Sequence, residues 1–424
     1  MTLPHHEPAI RIIGGQRLSG RIAISGAKNA ALKLMAASLL TDQPLVLDNV
    51  PQLLDTVTMA DLLSHHGVTL NQQGNQWTLQ AKDVAPTDTC FDLVRTIRAS
   101  IVLLGPLLAR CGYVRLPFPG GDAIGNRKID YHLHGLQLLG AQVQFDDGFI
   151  MAEAPNGLHG ATMHFPNVTV TGTENVLMAA CLAKGTSVLH NVAREPEVGD
   201  LIACLNSMGA RIEGAGSETL VIHGVDSLQG ATHRVIPDRV ETGTYAFAAA
   251  MTGGDLLLTG ANPDHLPSEL ASLRAAGANV SIGVEGLRVT AAEQALQGVD
   301  IITDPYPGFA TDMQAQFMAM MTRAKGASLI TETIYENRLR HVPELQKLGA
   351  NITVHGQSAL VRGVDQLHGA VVSATDIRAS VSLVLAGLVA EGESWVQKPY
   401  HLDRGYEGLV EKLQSCHATI ERVG

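Results

Sequence analysis

The chain has 424 residues, enough for two or three domains with sizeable cores. Its formal net charge of −11 argues against nucleic acid or an anionic membrane as the main partner. The first eight residues lack the apolar run of a signal peptide, and no uncharged apolar run approaches the ~20 residues of a membrane span, so we expect no membrane insertion.

Hydrophobic residues make up 46% of the chain and aromatic residues only 4%, so we expect cores built from Ala, Val, Leu, Ile and Met. The cysteines are odd in number and form no Cys-x-x-Cys pair, which predicts a reduced, cytosolic protein with thiols in its core. They are Cys90, Cys111, Cys181, Cys204 and Cys416. His132 and His134 fit one face of a strand but have no partner at metal-ligand spacing, so no metal site is predicted.

A repeat of about 70 residues runs along the chain. Its marker is a Gly-Ala-x-Val/Ile phrase that usually follows a helical pattern and precedes a strand pattern. Copies begin at Gly67, Gly140, Gly209, Gly277 and Gly349, and a degenerate copy begins at His417.

Six Ala-rich apolar segments run in phase with this marker. They read as helices that are apolar on nearly all faces, so we expect them inside the protein, covered by sheets. They begin near Lys28, Arg98, Thr173, Thr242, Asp312 and Arg378. Capping boxes are predicted at residues 171–174 and 311–314, and glycine stops at Gly112, Gly185, Gly253, Gly326 and Gly392.

The repeating unit is therefore a strand and a buried helix, then a strand, an outer helix and a pair of strands. Six such units over 424 residues suggest two similar domains of three units each. We place the hinge near residues 230–237. Lys28, Arg98, Asp312 and Arg378 lie at helix starts, which suggests an anion-binding cleft between the domains; the alternative is that such residues are ion-pair struts.

Residues 119–130 form a polar segment with three glycines, which allow close backbone approaches. Asp122 offers a carboxylate for acid–base chemistry, Arg127 and Lys128 suit anionic oxygens, and Asp130 is a hydrogen-bond acceptor. A P-loop is excluded because Asn-Arg stands where Lys-Ser/Thr is required. The segment alone fits a polar surface turn equally well.

Several motifs in order resemble one family, the UDP-N-acetylglucosamine enolpyruvyl transferases. They are SGAKNAAL at 25–32, PGG at 119–121 with IG at 124–125, AREPE at 193–197, PDRVETGT at 237–244, TDMQAQF at 311–317, ENR at 336–338 and DRGYE at 403–407. The resemblance covers residues 10–423.

The resemblance implies an α/β fold of two inside-out α/β barrels, built from six βαβαββ units, three per domain. One domain would comprise residues 1–26 and 237–424, and the inserted domain, residues 27–236, would carry the active-site loop at about 118–130. The implied reaction transfers the enolpyruvyl group of phosphoenolpyruvate to the 3′-hydroxyl of UDP-N-acetylglucosamine and releases phosphate, without a cofactor. It is the first committed step of peptidoglycan synthesis in the bacterial cytoplasm, and so serves cell-wall biogenesis, cell shape and cell division.

The resemblance also implies residue roles. Phosphoenolpyruvate would be held by Lys28, Asn29, Arg127 and Arg404. UDP-N-acetylglucosamine would be bound by Arg98, Arg127, Lys128, Ile129, Asp130, Tyr131, Asp312 and Ile334. The catalytic set would be Asp122, Asp312, Lys28 and Arg404, with Asp312 taking the proton of the 3′-hydroxyl.

Asp122 departs from the commonest family pattern, which has cysteine there as proton donor and as the thiol that fosfomycin alkylates. Because a carboxyl group ordinarily titrates far below a thiol, we expect a more acidic pH profile than that of a cysteine form. We also expect resistance to fosfomycin, since a carboxylate lacks the reactivity of a thiolate.

Two other functions remain as alternatives. One is enolpyruvyl transfer to shikimate 3-phosphate, which the motifs at 25–32 and 312–317 fit less well. The other is a non-catalytic regulatory paralogue that binds a UDP-sugar. Retention of Lys28, Asp312, Arg404 and an ionisable residue at 122 argues against it.

Overall fold

The computed structural model describes residues 7–85, 91–122, 124–125, 127–291 and 294–424. Cys90, expected in the core, and the loop residues Ala123 and Asn126 lie outside the described residues. The chain forms two compact units. Unit 1 comprises Met1–Ser25, Ala123–Asn126 and Pro237–Gly424, and unit 2 comprises Gly26–Asp122 and Arg127–Ile236.

The strands are short, mostly of five residues or fewer. They are β1 Ala9–Ile13, β2 Ser19–Ala23, β3 Leu45–Asp48, β4 Thr69–Gln73, β5 Gln76–Gln80, β6 Tyr113–Pro117, β7 Gln142–Asp146, β8 Phe149–Glu153, β9 Thr162–His164, β10 Thr186–His190, β11 Arg211–Glu213, β12 Thr219–His223, β13 Ala231–Arg234, β14 Asp255–Thr259, β15 Asn279–Gly283, β16 Gly286–Thr290, β17 Ile301–Ile302, β18 Ala327–Thr331, β19 Asn351–His355, β20 Ser358–Arg362, β21 Leu367–His368, β22 Val371–Ser373, β23 Ala390–Glu391, β24 Glu393–Gln397 and β25 Thr419–Val423.

The α-helices alternate with these strands. They are α1 Lys28–Ala37, α2 Leu54–His65, α3 Phe91–Thr96, α4 Leu104–Cys111, α5 Asp130–Leu138, α6 Val170–Ala180, α7 Pro196–Ser207, α8 Arg239–Thr252, α9 Pro267–Ala275, α10 Gln314–Met321, α11 Val342–Lys347, α12 Ala379–Val389, α13 Tyr400–Asp403 and α14 Leu409–Ser415. Short 3-10 helices span Ser38–Leu40, Arg98–Leu103, Pro263–His265 and Thr311–Met313.

Within the described residues, each unit contains three main sheets, of which five in all are four-stranded and one is three-stranded, and unit 1 also has the two-stranded parallel sheet β21-β23. In unit 2 the strand orders are β13-β3-β5-β4, β6-β8-β7 and β11-β12-β10-β9, and in unit 1 they are β15-β16-β14-β2, β17-β18-β20-β19 and β22-β24-β1-β25. Every four-stranded sheet has one parallel edge pair, as where Ala231 aligns with Leu45, and antiparallel pairs elsewhere. A buried helix connects three of these parallel pairs, because parallel neighbours need a crossover: α6 joins β9 to β10, α10 joins β17 to β18, and α12 joins β22 to β24. The parallel pairs β3–β13 and β2–β14 instead bring together strands that are far apart in the sequence. The predicted βαβαββ repeat is confirmed.

Six helical segments form the interiors. Unit 2 buries α1, α4 and α6, and unit 1 buries α8, α10 and α12. All eight residues of α10 are buried. Strands such as β12 alternate buried and partly exposed positions, so one face of each sheet packs against the helices. The prediction of helices covered by sheets is therefore confirmed. Within the described part of the chain, no helix is both long and apolar enough to cross a bilayer.

The predictions of glycine stops and capping boxes at the helix ends were only partly correct. Gly112 and Gly253 directly follow α4 and α8 with positive φ, as predicted, but Gly185, Gly326 and Gly392 come later, where the next strand begins. Neither capping box forms. Thr169, not Thr171, caps α6 by accepting from the Gly172 N–H, and Thr311 donates to Glu332 instead.

A tight crossing of α4 and α6 gives a test of this packing. A Cβ on Gly105 would lie 2.3 Å from the backbone oxygen of Asn175, so Gly105→Ala must push backbone apart. We expect it to destabilise the protein by about 1–3 kcal/mol. Gly199 in α7 is the matched control, because its Cβ would meet nothing within 4 Å, and Gly199→Ala should stabilise by roughly 0.5–1 kcal/mol. Urea unfolding measures both; equal effects would contradict the packing argument.

Candidate active site

Lys28 and Asn29 open helix α1 in unit 2. The Nζ atom of Lys28 lies 3.2 Å from Oδ2 of Asp55, which is in the first turn of α2. Lys28 is 6% exposed and Asp55 4%, so this is a buried ion pair. Burying an ammonium is costly without such a partner. Asp55 therefore fixes the position of the first cation of the predicted phosphoenolpyruvate set.

Arg98 begins the 3-10 helix that precedes α4 and holds both ends of the 119–127 segment. Its guanidinium donates to the carbonyl oxygen of Pro119 at 3.1 Å and to that of Arg127. The fork geometry of a guanidinium suits two acceptors at once. The sequence assigned Arg98 only to the sugar nucleotide, whereas the structure also makes it the residue that joins the two ends of the loop.

The segment around Asp122 follows closely packed backbone. A Cβ on Gly120 would lie 1.9 Å from the carbonyl oxygen of Arg95, and Gly121 has φ +102°, so glycine is required at both positions. Asp122 is partly buried directly after them. Further along, the Asn337 N–H donates to the Ile124 carbonyl oxygen at 3.0 Å within unit 1.

The predicted nucleotide-binding residues from Lys128 to Tyr131 lie at the start of α5. Lys128 and Asp130 are exposed, whereas Ile129 is buried. The hydroxyl of Tyr131 accepts from the Asn167 side chain at 2.7 Å. The run therefore offers two charged groups and a hydroxyl on one short stretch of chain.

His132 lies in helix α5, not in the strand that the sequence suggested. Its Nδ1 accepts from Asn175 at 2.9 Å, and its Nε2 lies 3.2 Å from the hydroxyl of Thr171. Burial, followed by the charge of Arg98, lowers the pKa of His132 to about 3. The ring is thus neutral and serves to join α5 to α6.

Asp312 is the centre of the polar group in unit 1. Its Oδ1 accepts from Nη2 of Arg338 at 2.9 Å, and its Oδ2 accepts from Nε of Arg378 at 3.2 Å. Both arginines are buried, and Asp312 keeps 27% of its side chain exposed. Burial acts to lower the pKa of Arg378, but the acidic groups around it, Asp312 first among them, together outweigh burial and raise the pKa. The result is an oriented, partly accessible carboxylate that can accept a hydrogen bond from a hydroxyl.

Ile334 lies in a turn that Glu332 organises. Glu332 is 1% exposed, and its Oε1 accepts from the backbone N–H groups of Ile334 and Tyr335 at 2.9 and 3.2 Å. Its carboxylate also accepts from the hydroxyls of Thr303 and Thr311 at 3.0 and 2.8 Å. Because Thr311 adjoins Asp312, one buried carboxylate sets both the Asp312 segment and the Ile334 backbone.

Arg404 follows helix α13 and is partly buried. The preceding Asp403 pairs with Arg422 of β25. The following Gly405 passes so close to Ile377 that a Cβ would lie 2.5 Å from its Cγ2. These contacts fix the backbone on both sides of Arg404.

Sequence reasoning missed two buried carboxylates, Asp55 and Glu332. Only a weak sequence signal pointed to Asp55, because an acidic residue in the first turn of a helix usually does no more than interact favourably with the helix dipole. Glu332 stands between two threonines after an apolar strand, which is the usual place for a polar loop. Neither pattern shows which residue on a distant segment the carboxylate will contact.

Comparisons with known proteins bear on the family and the fold. The family model for EPSP synthase (3-phosphoshikimate 1-carboxyvinyltransferase) matches residues 12–413. Proteins named UDP-N-acetylglucosamine 1-carboxyvinyltransferase from Gluconacetobacter diazotrophicus and Acidiphilium cryptum are each 55% identical over 414 residues. Those alignments cover 97% and 98% of this chain and 98% and 99% of the two relatives.

Solved structures match along the whole chain as well. The enolpyruvyl transferase NikO from Streptomyces tendae superposes with a TM-score of 0.89 at 28% identity, covering 98% of this chain and 99% of NikO. An EPSP synthase from Acinetobacter baumannii gives a TM-score of 0.77 at 17% identity, covering 98% of this chain and 100% of that chain. The second match supports the fold alone.

Fold and family model together define an enzyme of the enolpyruvyl transferase class. Within that class, the chain belongs to the UDP-N-acetylglucosamine 1-carboxyvinyltransferase family, because its relatives of that name share more than half of its residues over nearly the full length. The resemblance drawn from the sequence motifs is confirmed.

The Asp312 cluster predicts a stability difference between two aspartates of unit 1. Asp312→Asn removes the charge that compensates two buried guanidinium groups and leaves one of their donors without its acceptor, so we expect a loss of about 1–3 kcal/mol. Asp255→Asn is the control, because its pair with Arg288 is exposed and the unfolding midpoint should hardly move. Thermal and urea unfolding of both variants would test this. If the two substitutions shifted the unfolding midpoint equally, the Asp312 pairs would contribute no more to stability than a surface pair.

Proposed function

We propose that the protein transfers the enolpyruvyl group of phosphoenolpyruvate to the 3′-hydroxyl of UDP-N-acetylglucosamine, with release of phosphate. The observation that carries this proposal is the 55% identity, over nearly the whole chain, to relatives named for that carboxyvinyl transfer. Identity to the EPSP synthase structure is only 17%, which favours the UDP-sugar over shikimate 3-phosphate. We place the reaction in the cytoplasm, as a step of peptidoglycan synthesis that serves cell growth and division.

The phosphoenolpyruvate set in this proposal is Lys28, Asn29, Arg127 and Arg404. Phosphoenolpyruvate carries a phosphate and a carboxylate, so it needs several cations and amide donors. Lys28 is well suited because its pairing with Asp55 holds the ammonium in one place before any substrate arrives. Guanidinium groups such as Arg127 and Arg404 can bind an oxyanion through two donors at once.

UDP-N-acetylglucosamine is assigned to Arg98, to the run from Arg127 to Tyr131, and to Asp312 and Ile334. The diphosphate suits the cations of this set, whereas the Asp130 carboxylate suits a hydroxyl or an imide N–H. Ile334 would act through its backbone, which the hydrogen bonds to Glu332 keep in a fixed turn. The proposed nucleotide-binding set therefore combines side chains and one backbone group that come from several separate segments of the chain.

The chemistry is an addition followed by an elimination. The sugar hydroxyl attacks C2 of phosphoenolpyruvate while C3 gains a proton, and the tetrahedral adduct then loses phosphate and a C3 proton. We assign Asp312 to the hydroxyl proton, because its carboxylate is partly accessible and is oriented by Arg338 and Arg378. We assign Asp122 to the C3 proton. Lys28 and Arg404 would stabilise the charge on the departing phosphate.

Phosphate release is the direct test of the reaction. We expect release from phosphoenolpyruvate only when UDP-N-acetylglucosamine is present, and we expect it to persist after incubation with fosfomycin, because position 122 has no thiol. Release without the sugar nucleotide, or none with it, would contradict the transferase proposal. Release abolished by the drug would keep the reaction and contradict the role of Asp122.

Substitution at position 122 tests the proton donor separately. Asp122→Cys should remain active, become inactivated by fosfomycin and show an activity optimum at higher pH, because a thiol titrates at higher pH than a carboxyl group. Asp122→Asn keeps the size of the side chain and should lose most of the activity, by about 100-fold or more. An Asp122→Cys profile that superposes on the parent, or an active Asp122→Asn enzyme, would exclude Asp122 as the donor.

A further inference from the structure

A second buried ion pair lies beneath the start of α1, one helical turn and a residue beyond Lys28. Nζ of Lys33 lies 3.4 Å from Oε2 of Glu174, which is on α6. Lys33 is 4% exposed and Glu174 is fully buried. Neither residue belongs to the substrate-binding sets, and a buried charge pair seldom adds stability over apolar side chains of similar size. Its presence therefore calls for another explanation.

Lys33 links this pair to the first turn of α1. Its ammonium donates to the carbonyl oxygen of Asn29 at 2.6 Å. Helix α1 starts at Lys28, and its N-terminal flanking residue, Ala27, supplies no side-chain cap. A helix end without a cap frays more easily than a capped one. Lys33 thus connects the turn that carries Lys28 and Asn29 to Glu174 in the interior of unit 2.

Glu174 is held mainly by that one cation. Neither of its carboxylate oxygens accepts a hydrogen bond, and the charged groups that face it are Lys33 of α1, Glu197 of α7 and Glu195 just before α7. Burial raises the pKa of Glu174 to about 7, with Lys33 acting in the opposite direction and the two glutamates adding to the rise. The Glu174 carboxyl group therefore titrates around neutral pH, and the ion pair is lost progressively as pH falls below about 7.

The next residue on α6 ties the same helix to two other site-bearing elements. The Asn175 side chain accepts from the Gly105 N–H at 2.6 Å, and it donates to the Ile101 carbonyl oxygen at 3.1 Å. It also contacts His132 of α5. Asn175 thus fixes the 3-10 helix that begins at Arg98 and the helix that begins at Asp130. Glu174 supplies the corresponding link to α1.

We propose that Glu174 is a positioning residue for the phosphoenolpyruvate-binding end of α1, acting through Lys33 and the Asn29 carbonyl. The proposal rests on the function proposed above, because it takes Lys28 and Asn29 as phosphoenolpyruvate ligands. Loss of the Glu174 charge would leave the Lys33 ammonium buried without its counter-charge, and the first turn of α1 would shift or fray.

Steady-state kinetics of Glu174→Gln, which keeps the size and removes the charge, give the first test. We expect the KM for phosphoenolpyruvate to rise about tenfold or more, because small displacements of a binding group are costly. The KM for UDP-N-acetylglucosamine should stay within a factor of about two, since Asn175 still holds its elements. An unchanged KM for phosphoenolpyruvate would overturn the proposal.

The pH dependence supplies a readout that a purely structural role would not move. In the parent enzyme, the KM for phosphoenolpyruvate should rise more steeply below about pH 7 than in Glu174→Gln, because only the parent loses the ion pair as pH falls. Both enzymes are measured with the same substrate, so titration of phosphoenolpyruvate itself cancels in the ratio. Parallel profiles would contradict the proposal.

A double variant separates positioning from stability. Glu174→Gln leaves the Lys33 ammonium buried without a counter-charge, so we expect its unfolding midpoint to fall below that of the parent. Lys33→Met/Glu174→Leu replaces both charges by apolar groups of similar size, so we expect its midpoint to return to that of the parent. It still lacks the contact to Asn29, so its KM for phosphoenolpyruvate should stay raised. Recovery of both the midpoint and the KM would reduce the pair to a packing element and overturn the proposal.

Amide hydrogen exchange tests the same link without substrates. Peptides that cover the first turn of α1 should exchange faster in Glu174→Gln and in the double variant than in the parent, whereas peptides from α12 should not change. This measurement decides the positioning role even if the parent enzyme releases no phosphate, an outcome that would contradict only the proposed function. Equal exchange at α1 in all three proteins would overturn the inference.

Discussion

Helices buried on nearly every side are the constraint on which this structure depends. Each unit surrounds three apolar helices with three small sheets, and a helix such as α10 has no face left for water. The polar groups proposed to meet substrates therefore come mainly from helix ends and from the loops that follow the strands. Lys28, Arg98 and Asp312 all lie at or beside the start of such a helix.

Charges at those positions are partly or fully withdrawn from water, so each needs a partner. Lys28 has Asp55, and Asp312 has Arg338 and Arg378. The same holds for Glu241 at the start of α8, which accepts from Lys412 at 2.5 Å and from the Ser25 N–H at 2.8 Å; burial raises its pKa to about 7 while Lys412 opposes the rise. Each of these pairs holds a charged side chain in one orientation, at some expense of stability.

Much of the architecture could be predicted because local sequence patterns determine it. The Gly-Ala-x-Val/Ile phrase that recurs about every 70 residues, as at Gly67 and Gly140, marks where a helix ends and a strand begins. The Ala-rich segments indicate which helices are buried. Helix termini were less predictable. The Thr311 pattern satisfies the rule for a capping box, yet its hydroxyl donates to Glu332 on another segment, because a buried carboxylate is the stronger acceptor.

The sequence by itself determined the repeat, the buried helices, the enzyme family and the residue types at the proposed site, since periodicity and motif order depend only on neighbours along the chain. Only the tertiary structure decided which charges meet. The Lys28 and Asp55 side chains are 27 positions apart, and Asp312 and Arg378 are 66 apart. Glu174 and Lys33 come from different repeats. Such contacts follow from how the helices pack, and no local pattern encodes the partner.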